Sequence, residues 1–212
     1  MAIEVKTQNP LDVLISKTRE LFASEPDLDQ RWAKLSPILA EMLADPAVIE
    51  ASKTWPETHV LAGEGGSRAE NLLFYEDPDY GFAINGLKKN PDRSGSTRVH
   101  DHAHIYTLYG VLDGRERIER YERLDDRSRV DYAEIRRTRS DVVGPGEIDL
   151  VKPYEIHTEV TIGESTVAVI IRSEKSGGFN QGRYNPETFE YFESLGPRQT
   201  PVEMFPPNTE AM

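Results

Sequence analysis

The apolar positions change period once along the chain. Up to about residue 56 they recur at helical spacing, and from residue 57 they alternate every second position. In the first part Leu11, Val13, Leu14, Ile15, Leu21 and Phe22 fall on one helical face. Asn9-Pro10 ahead of them is a start signal: a capping side chain, then a residue that needs no amide donor in the first turn. Residues 24–27 break this helix. A second is predicted over about 28–43, with Trp32, Leu35, Ile38, Leu39, Met42 and Leu43 on its apolar side, and a shorter third follows Pro46. Beyond residue 57 the alternation predicts strands over 71–75, 80–85, 98–112, 115–124, 132–139, 147–151, 156–162 and 166–172, with Asp77-Pro78-Asp79 and Asp113-Gly114 as tight turns. Strands following one another without helices between them favour a sandwich or barrel over a parallel α/β sheet. The tail from Gly177 is rich in Pro and Gly; it predicts one short helix over 186–195 and extended chain over 196–212. The expected organisation is a helical cap (1–56), a β barrel (57–176) and a C-terminal extension packing on the barrel (177–212).

Composition narrows the chemistry. The 212 residues include no cysteine, which excludes a disulfide scaffold, a cysteine nucleophile, a zinc finger and a cysteine-ligated iron–sulfur cluster. A formal net charge of −12 repels phosphate backbones, so no nucleic-acid partner is expected. No stretch approaches the ~20 apolar residues that span a bilayer, and residues 1–6 lack the apolar run of a secretory signal. A cytoplasmic protein without a membrane partner is therefore expected. Gly63-Glu64-Gly65-Gly66 has no Lys-Ser/Thr after it and reads as a plain loop rather than a phosphate cradle. Any metal site must be built from His, Asp and Glu. The five histidines are His59, His100, His102, His104 and His157.

The segment from His100 to Gly114 is the informative one. On a strand, residues i and i+2 share a face ~6.6 Å apart, so His100 and His102 can aim at one ion. His104 has the same parity, but a span of ~13 Å from His100 is long for a shared ligand. His157 belongs to a later strand that antiparallel closure can bring over the pair. A buried cluster of unpaired imidazoles would leave nitrogens unsatisfied unless something coordinates them. Asp101 alternates away from the histidines and reads as a strand-bracing carboxylate. His59 lies outside the pattern and reads as structural.

The His-x-His strand, Gly114 twelve residues past His102, and the distant Pro153 and His157 resemble the cupin superfamily. The family's first motif places Gly, His-x-His, Glu and Gly at set spacings. Anchored on Gly114, its Glu position falls on Thr107, and Gly95 stands one residue nearer to His100 than the motif asks. In the second motif the closing Asn falls on Thr161. The strings 99–102, 109–114 and 71–78 are similar to the cysteine dioxygenase branch. The resemblance implies a mainly β fold, the double-stranded β-helix or jelly-roll barrel, under an N-terminal helical cap. It implies Fe(II) held by three neutral histidines, His100, His102 and His157, with O2 and a small chelating organic molecule as reactants. Three imidazoles leave the ion at +2, which suits an anionic chelator.

Around that centre His104 is the candidate acid/base. Tyr106 is a candidate hydrogen-bond donor to dioxygen or substrate, or else a packed core residue. Arg68, Arg98 and Arg172 are the candidates for holding a substrate carboxylate. The branch's Ser-x-His-x-Tyr stretch is replaced here by Val167-Ala168-Val169-Ile170-Ile171-Arg172. With Leu108, Leu112, Val169 and Ile171 around the histidines, a drier pocket and a less polar or aromatic substrate are expected. A ring- or carbon–carbon-cleaving dioxygenase, a non-redox metal-dependent lyase or isomerase, and a non-catalytic ligand-binding module stay open. A homo-oligomer is compatible with all of them.

Overall fold

The computed structural model describes residues 9–61, 68–90 and 98–206. The loop at Gly63–Gly66, the motif position Gly95 and the last residues of the tail lie outside these. Among these residues three helices come first: α1 (Pro10–Ser24), α2 (Leu28–Leu43) and α3 (Pro46–Lys53). Each is capped by a short acceptor, with Asn9, Asp27 and Asp45 taking hydrogen bonds from the amides of Leu11, Gln30 and Ala47. Such caps satisfy amides that the first helical turn leaves unpaired. Among the described residues no helix is long and apolar enough to cross a membrane.

Among the described residues eleven strands follow: β1 (Val60–Leu61), β2 (Arg68–Glu76), β3 (Ala83–Lys89), β4 (Val99–His100), β5 (Thr107–Arg123), β6 (Ile135–Val143), β7 (Ile148–Val151), β8 (Ile156–Arg172), β9 (Asn180–Tyr184), β10 (Tyr191–Leu195) and β11 (Arg198–Pro201). The fold is mainly β. Its sheet runs β1-β2-β3-β8-β4-β9-β10, and β5 joins β8 to β6 and β7. The two 17-residue strands β5 and β8 pair antiparallel along nearly their whole length and curl the sheet into a jelly-roll-like half-barrel.

Several strands differ from the sequence reading, each for a local reason. Residues 98–112 are not one strand. β4 ends at His100, a turn follows, Ala103 takes a left-handed φ of 53°, and β5 begins at Thr107. Asp113-Gly114 is not a hairpin turn. β5 continues through it with register shifts on both sides, and Gly114 (φ 81°) admits Ser165, whose carbonyl oxygen would lie 2.1 Å from a Cβ. The two strands expected over 156–162 and 166–172 are one strand, β8, with an exposed excursion at 162–165 opposite Arg115. The helix expected over 186–195 is the hairpin β9–β10. There Asn185 accepts hydrogen bonds from the amides of Glu187 and Thr188, a local turn that competes with a helix. The C-terminal segment enters the sheet, since β9 pairs with β4 and β11 pairs parallel with β2.

These irregularities set which residues face which way. Helix residues Leu14, Phe22, Trp32, Leu35, Leu39 and Leu43 pack on one face of the sheet, against Phe82, Ile84, Leu108, Leu112, Val169 and Ile171. The approach is close: a Cβ at Gly110 would stand 2.6 Å from Cδ1 of Leu43. Leu108, Leu112, Val169 and Ile171 therefore do not line a pocket around the histidines; they carry the helical cap. The opposite face bears Tyr109, Val111, Ala168 and Ile170, and the same side of β5 and β8 continues past the bulges to Glu116, Ile118 and Arg120 and to Thr161, Glu159 and His157. Directly paired antiparallel residues share a face, which fixes this assignment.

Candidate metal centre

The inner face gathers His100, His102, His157 and Glu159. One nitrogen or carboxylate oxygen from each lies within 4.8 Å of all the others, and all four residues are buried. Cross-strand pairing does most of this: His157 of β8 is the direct partner of His100 in β4 and of Arg120 in β5. His102 reaches the cluster from the turn after β4. Its Nε2 stands 3.1 Å from Nε2 of His100. The imidazole rings of the three histidines are 4.5–5.0 Å apart between centroids.

The ring orientations suit metal ligation. Nδ1 of His100 is 2.9 Å from the Arg98 carbonyl and Nδ1 of His157 is 3.1 Å from the Glu155 carbonyl. A nitrogen facing a carbonyl carries the proton, so the Nε2 lone pairs are left for the cluster, a common way of orienting metal-binding histidines. No carbonyl faces Nδ1 of His102, so its Nε2 either donates a proton to the Nε2 of His100 or shares an ion with it. Neighbouring ligands each about 2.1 Å from a shared ion stand about 3.0 Å apart at right angles. The observed spacing fits that arrangement, so the donor set can hold a divalent metal.

Electrostatics point the same way. Burial, then the charge of His157, pushes His100 down to about 3. Burial and the two neighbouring histidines hold His102 well below its ordinary value. Both rings are thus neutral, the form a metal needs. Burial opposes charge on His157 and on Glu159 as well, but their mutual attraction at 3.0 Å outweighs it, raising His157 and lowering Glu159.

Glu159 was not among the ligands expected from the sequence. Where the cupin motif carries its Glu, this chain has Thr107, and a carboxylate reaches the cluster instead from two positions past His157 on β8. The cue was parity, since residues 157 and 159 share a face. With Glu159 in the set, three imidazoles and one carboxylate leave a divalent ion at +1, not the +2 of three neutral histidines.

The other expected site residues divide. His104 is not on the inner face; its side chain is 51% exposed, pairs with Glu174 at 3.1 Å and packs on Phe179. The turn after β4 carries it outward. Tyr106 is not at the cluster either: its hydroxyl donates to Asp29 at 2.8 Å and its ring stacks on Trp32, which ties β5 to the cap. Arg68 is held by the carbonyls of Gly177 and Gly196, and Arg98 is exposed near Phe192. Arg172 does face the cluster. It is 4% exposed, donates to Asn85 at 2.8 Å, and acts electrostatically on His102 and Glu159. Asp101 braces the turn, accepting hydrogen bonds from the amides of Ala103 and Gly182 and from the Tyr184 hydroxyl.

No family model matches the chain, and no curated protein matches it. Among solved structures it is similar to Peruvianin-I, a cysteine peptidase from Thevetia peruviana latex, at 16% identity over 44% of this chain and 51% of that one, with a TM-score of 0.34. The chain thus aligns with about half the length of that protein. It is also similar to an uncharacterized conserved protein with a double-stranded β-helix domain from Klebsiella pneumoniae, at 14% identity over 64% and 90% of the two chains, TM-score 0.33. A third is hydroquinone 1,2-dioxygenase PnpCD, at 12% identity over 73% and 75%, TM-score 0.39. At such values the likeness adds nothing to what the strand pairing and the histidine geometry establish by themselves.

Proposed function

We propose that this protein is a non-haem Fe(II) dioxygenase of the cupin type, inserting O2 into a small chelating organic substrate, with thiol dioxygenation as the nearest analogy. The observation that carries the reading is the convergence of four buried donors, two of them imidazole Nε2 atoms 3.1 Å apart. His100, His102 and His157, joined by Glu159, would hold the ion. Iron there would supply one coordination sphere in which O2 and an organic donor meet. The chain's own part is positional. Backbone carbonyls at Arg98 and Glu155 fix two rings, the helical cap seals the opposite face of the sheet, and Arg172 presents a buried cation beside the ligands. Holding both reactants in a fixed geometry supplies much of the acceleration such a site needs.

Glu159 favours a second reading. A buried carboxylate next to a metal can take a proton from a chelated substrate, as a non-redox lyase or isomerase requires. One experiment separates the two: anaerobic reconstitution with Fe(II), then oxygen consumption over a panel of thiols, catechols and hydroxy acids. The dioxygenase consumes O2 with at least one class. Turnover without oxygen uptake supports the second reading, and protein that takes up no divalent metal refutes both.

A further inference from the structure

Of the three imidazoles at the cluster, His102 is held differently. A carbonyl faces Nδ1 of His100 and Nδ1 of His157, but Nδ1 of His102 is buried with no hydrogen-bond partner among the described residues. His102 also lies past the end of β4, on the turn that leads to β5, so strand pairing does not hold it directly. Where its ring sits therefore depends on the backbone of residues 101–103. That backbone includes Ala103 at a left-handed φ of 53°, a conformation that an alanine keeps only when its surroundings impose it.

Asp101 holds the turn from the face opposite to His100. Its Oδ1 accepts from the amides of Ala103 at 2.8 Å and Gly182 at 3.1 Å, and its Oδ2 accepts from the Tyr184 hydroxyl at 2.6 Å. The backbone adds two bonds: Asp101 N–H donates to the Gly182 carbonyl at 3.2 Å, and Tyr154 N–H donates to the Ala103 carbonyl at 2.7 Å. Asp101 is buried, and a buried carboxylate needs such donors. Gly182 makes the room for it, since a Cβ there would stand 2.4 Å from Oδ2 of Asp101 and 2.8 Å from the Tyr184 hydroxyl oxygen. Tyr184 is itself anchored, packing with Val99, Ile135 and Ile156 and with the Tyr191 ring at 5.1 Å. Burial and the Asp101 carboxylate push its phenol up, so it stays a donor.

We infer that Asp101 is a positioning residue for the metal ligand His102, and that Gly182 and Tyr184 of β9 complete its hold. The inference rests on the metal reading above, and it makes the C-terminal segment part of the support of the centre. A ligand carried on a turn is placed no more accurately than the groups that lock the turn. Loss of the outer partners of metal ligands typically costs about 10–100-fold in metal affinity. A carboxylate that only stabilised the fold would weaken the centre whichever ligands were present. A positioning carboxylate acts through His102, so its effect must vanish when His102 is removed.

The test uses the full chain with Zn(II) and Co(II) alone as probes, and circular dichroism is recorded for every variant. Asp101→Ala is expected to weaken zinc about ten- to a hundredfold, read by competition with a chromophoric chelator. Asp101→Asn keeps an acceptor for both amides and can donate to the Tyr184 oxygen, so it restores most of the affinity. Tyr184→Phe removes one contact of the side chain and weakens zinc several-fold. In a His102→Ala chain, Asp101→Ala should change zinc affinity by less than about threefold, while in a His157→Ala chain the loss persists. The Co(II) visible absorption of Asp101→Ala should move towards that of His102→Ala, as an imidazole leaves the donor set. Unchanged zinc affinity in Asp101→Ala overturns the proposal, and so does a loss of the same size with and without His102. If Asp101→Ala does not fold, Tyr184→Phe decides by the same two comparisons. Zinc uptake that ignores Asp101 refutes the positioning role and leaves the metal reading standing; a chain that takes up no divalent metal refutes both.

Discussion

Replacing Glu159 by Gln tests the electrostatic account of the cluster, because its effect must depend on pH. In the metal-free protein Glu159 and His157 form a fully buried pair at 3.0 Å. Glu159 has its folded pKa lowered from 4.5, so its contribution is present above that value and is lost as pH falls. His157 has its folded pKa raised from 6.5, so its contribution is full below that value and is lost as pH rises through the folded pKa. The pair therefore contributes most between about 4.5 and 6.5. A hydrogen bond between charged buried partners contributes about 1.5–3 kcal/mol. Once pH has risen through the folded pKa of His157 the ring is neutral, and a Gln amide can donate to its bare Nε2, so that part of the loss vanishes. Arg172 loses its attraction to Glu159 across this range, and His100 and His102, already held below the ordinary imidazole value by burial, are only lowered further when the Glu159 charge is removed. Urea unfolding with a chelator present, at pH 5.5 and in steps upward through the folded pKa of His157, reads the difference. Glu159→Gln should cost about 2 kcal/mol more at pH 5.5 than above that pKa. A cost that does not change with pH would refute the pairing of His157 with Glu159.

Three further outcomes follow from the same geometry. His100, lowered from 6.5 to about 3, binds its proton in the unfolded chain first, so metal-free protein should lose stability as pH falls from 6.5 towards 3, and added Zn(II) should raise the Tm at pH 7.5 but not at pH 4. Gly110→Ala places a Cβ 2.6 Å from Leu43 Cδ1 and 3.1 Å from Leu39 Cδ2, and should destabilise by about 1–3 kcal/mol in thermal or urea unfolding. His104→Ala removes an exposed side chain paired only with Glu174 and a ring contact to Phe179, so stability should change by no more than about 0.5 kcal/mol and metal content not at all; a loss of metal would return His104 to the site.

The sequence alone decided whatever depends on neighbours a few residues apart. The start signal at Asn9-Pro10, the break at 24–27 and the apolar stripes mark the helices, because capping and helical periodicity act over one or two turns. Alternation from residue 57 identified a β structure, and the imidazoles of His100, His102 and His157 stood out as residues with no apolar role. Only the tertiary structure decided the phase of that alternation. The turn at Ala103 resets parity between His102 and Thr107, and the bulge at Gly114 and the excursion at 162–165 reset it again along β5 and β8. A one-residue slip moves every later side chain to the other face. That is why His104 and Tyr106 left the site, why Leu108 and Val169 went under the helices, and why Tyr109 and Arg172 came in. Glu159 and the partnership of His157 with His100 depend on two strands more than fifty residues apart meeting in one register, which no local pattern encodes.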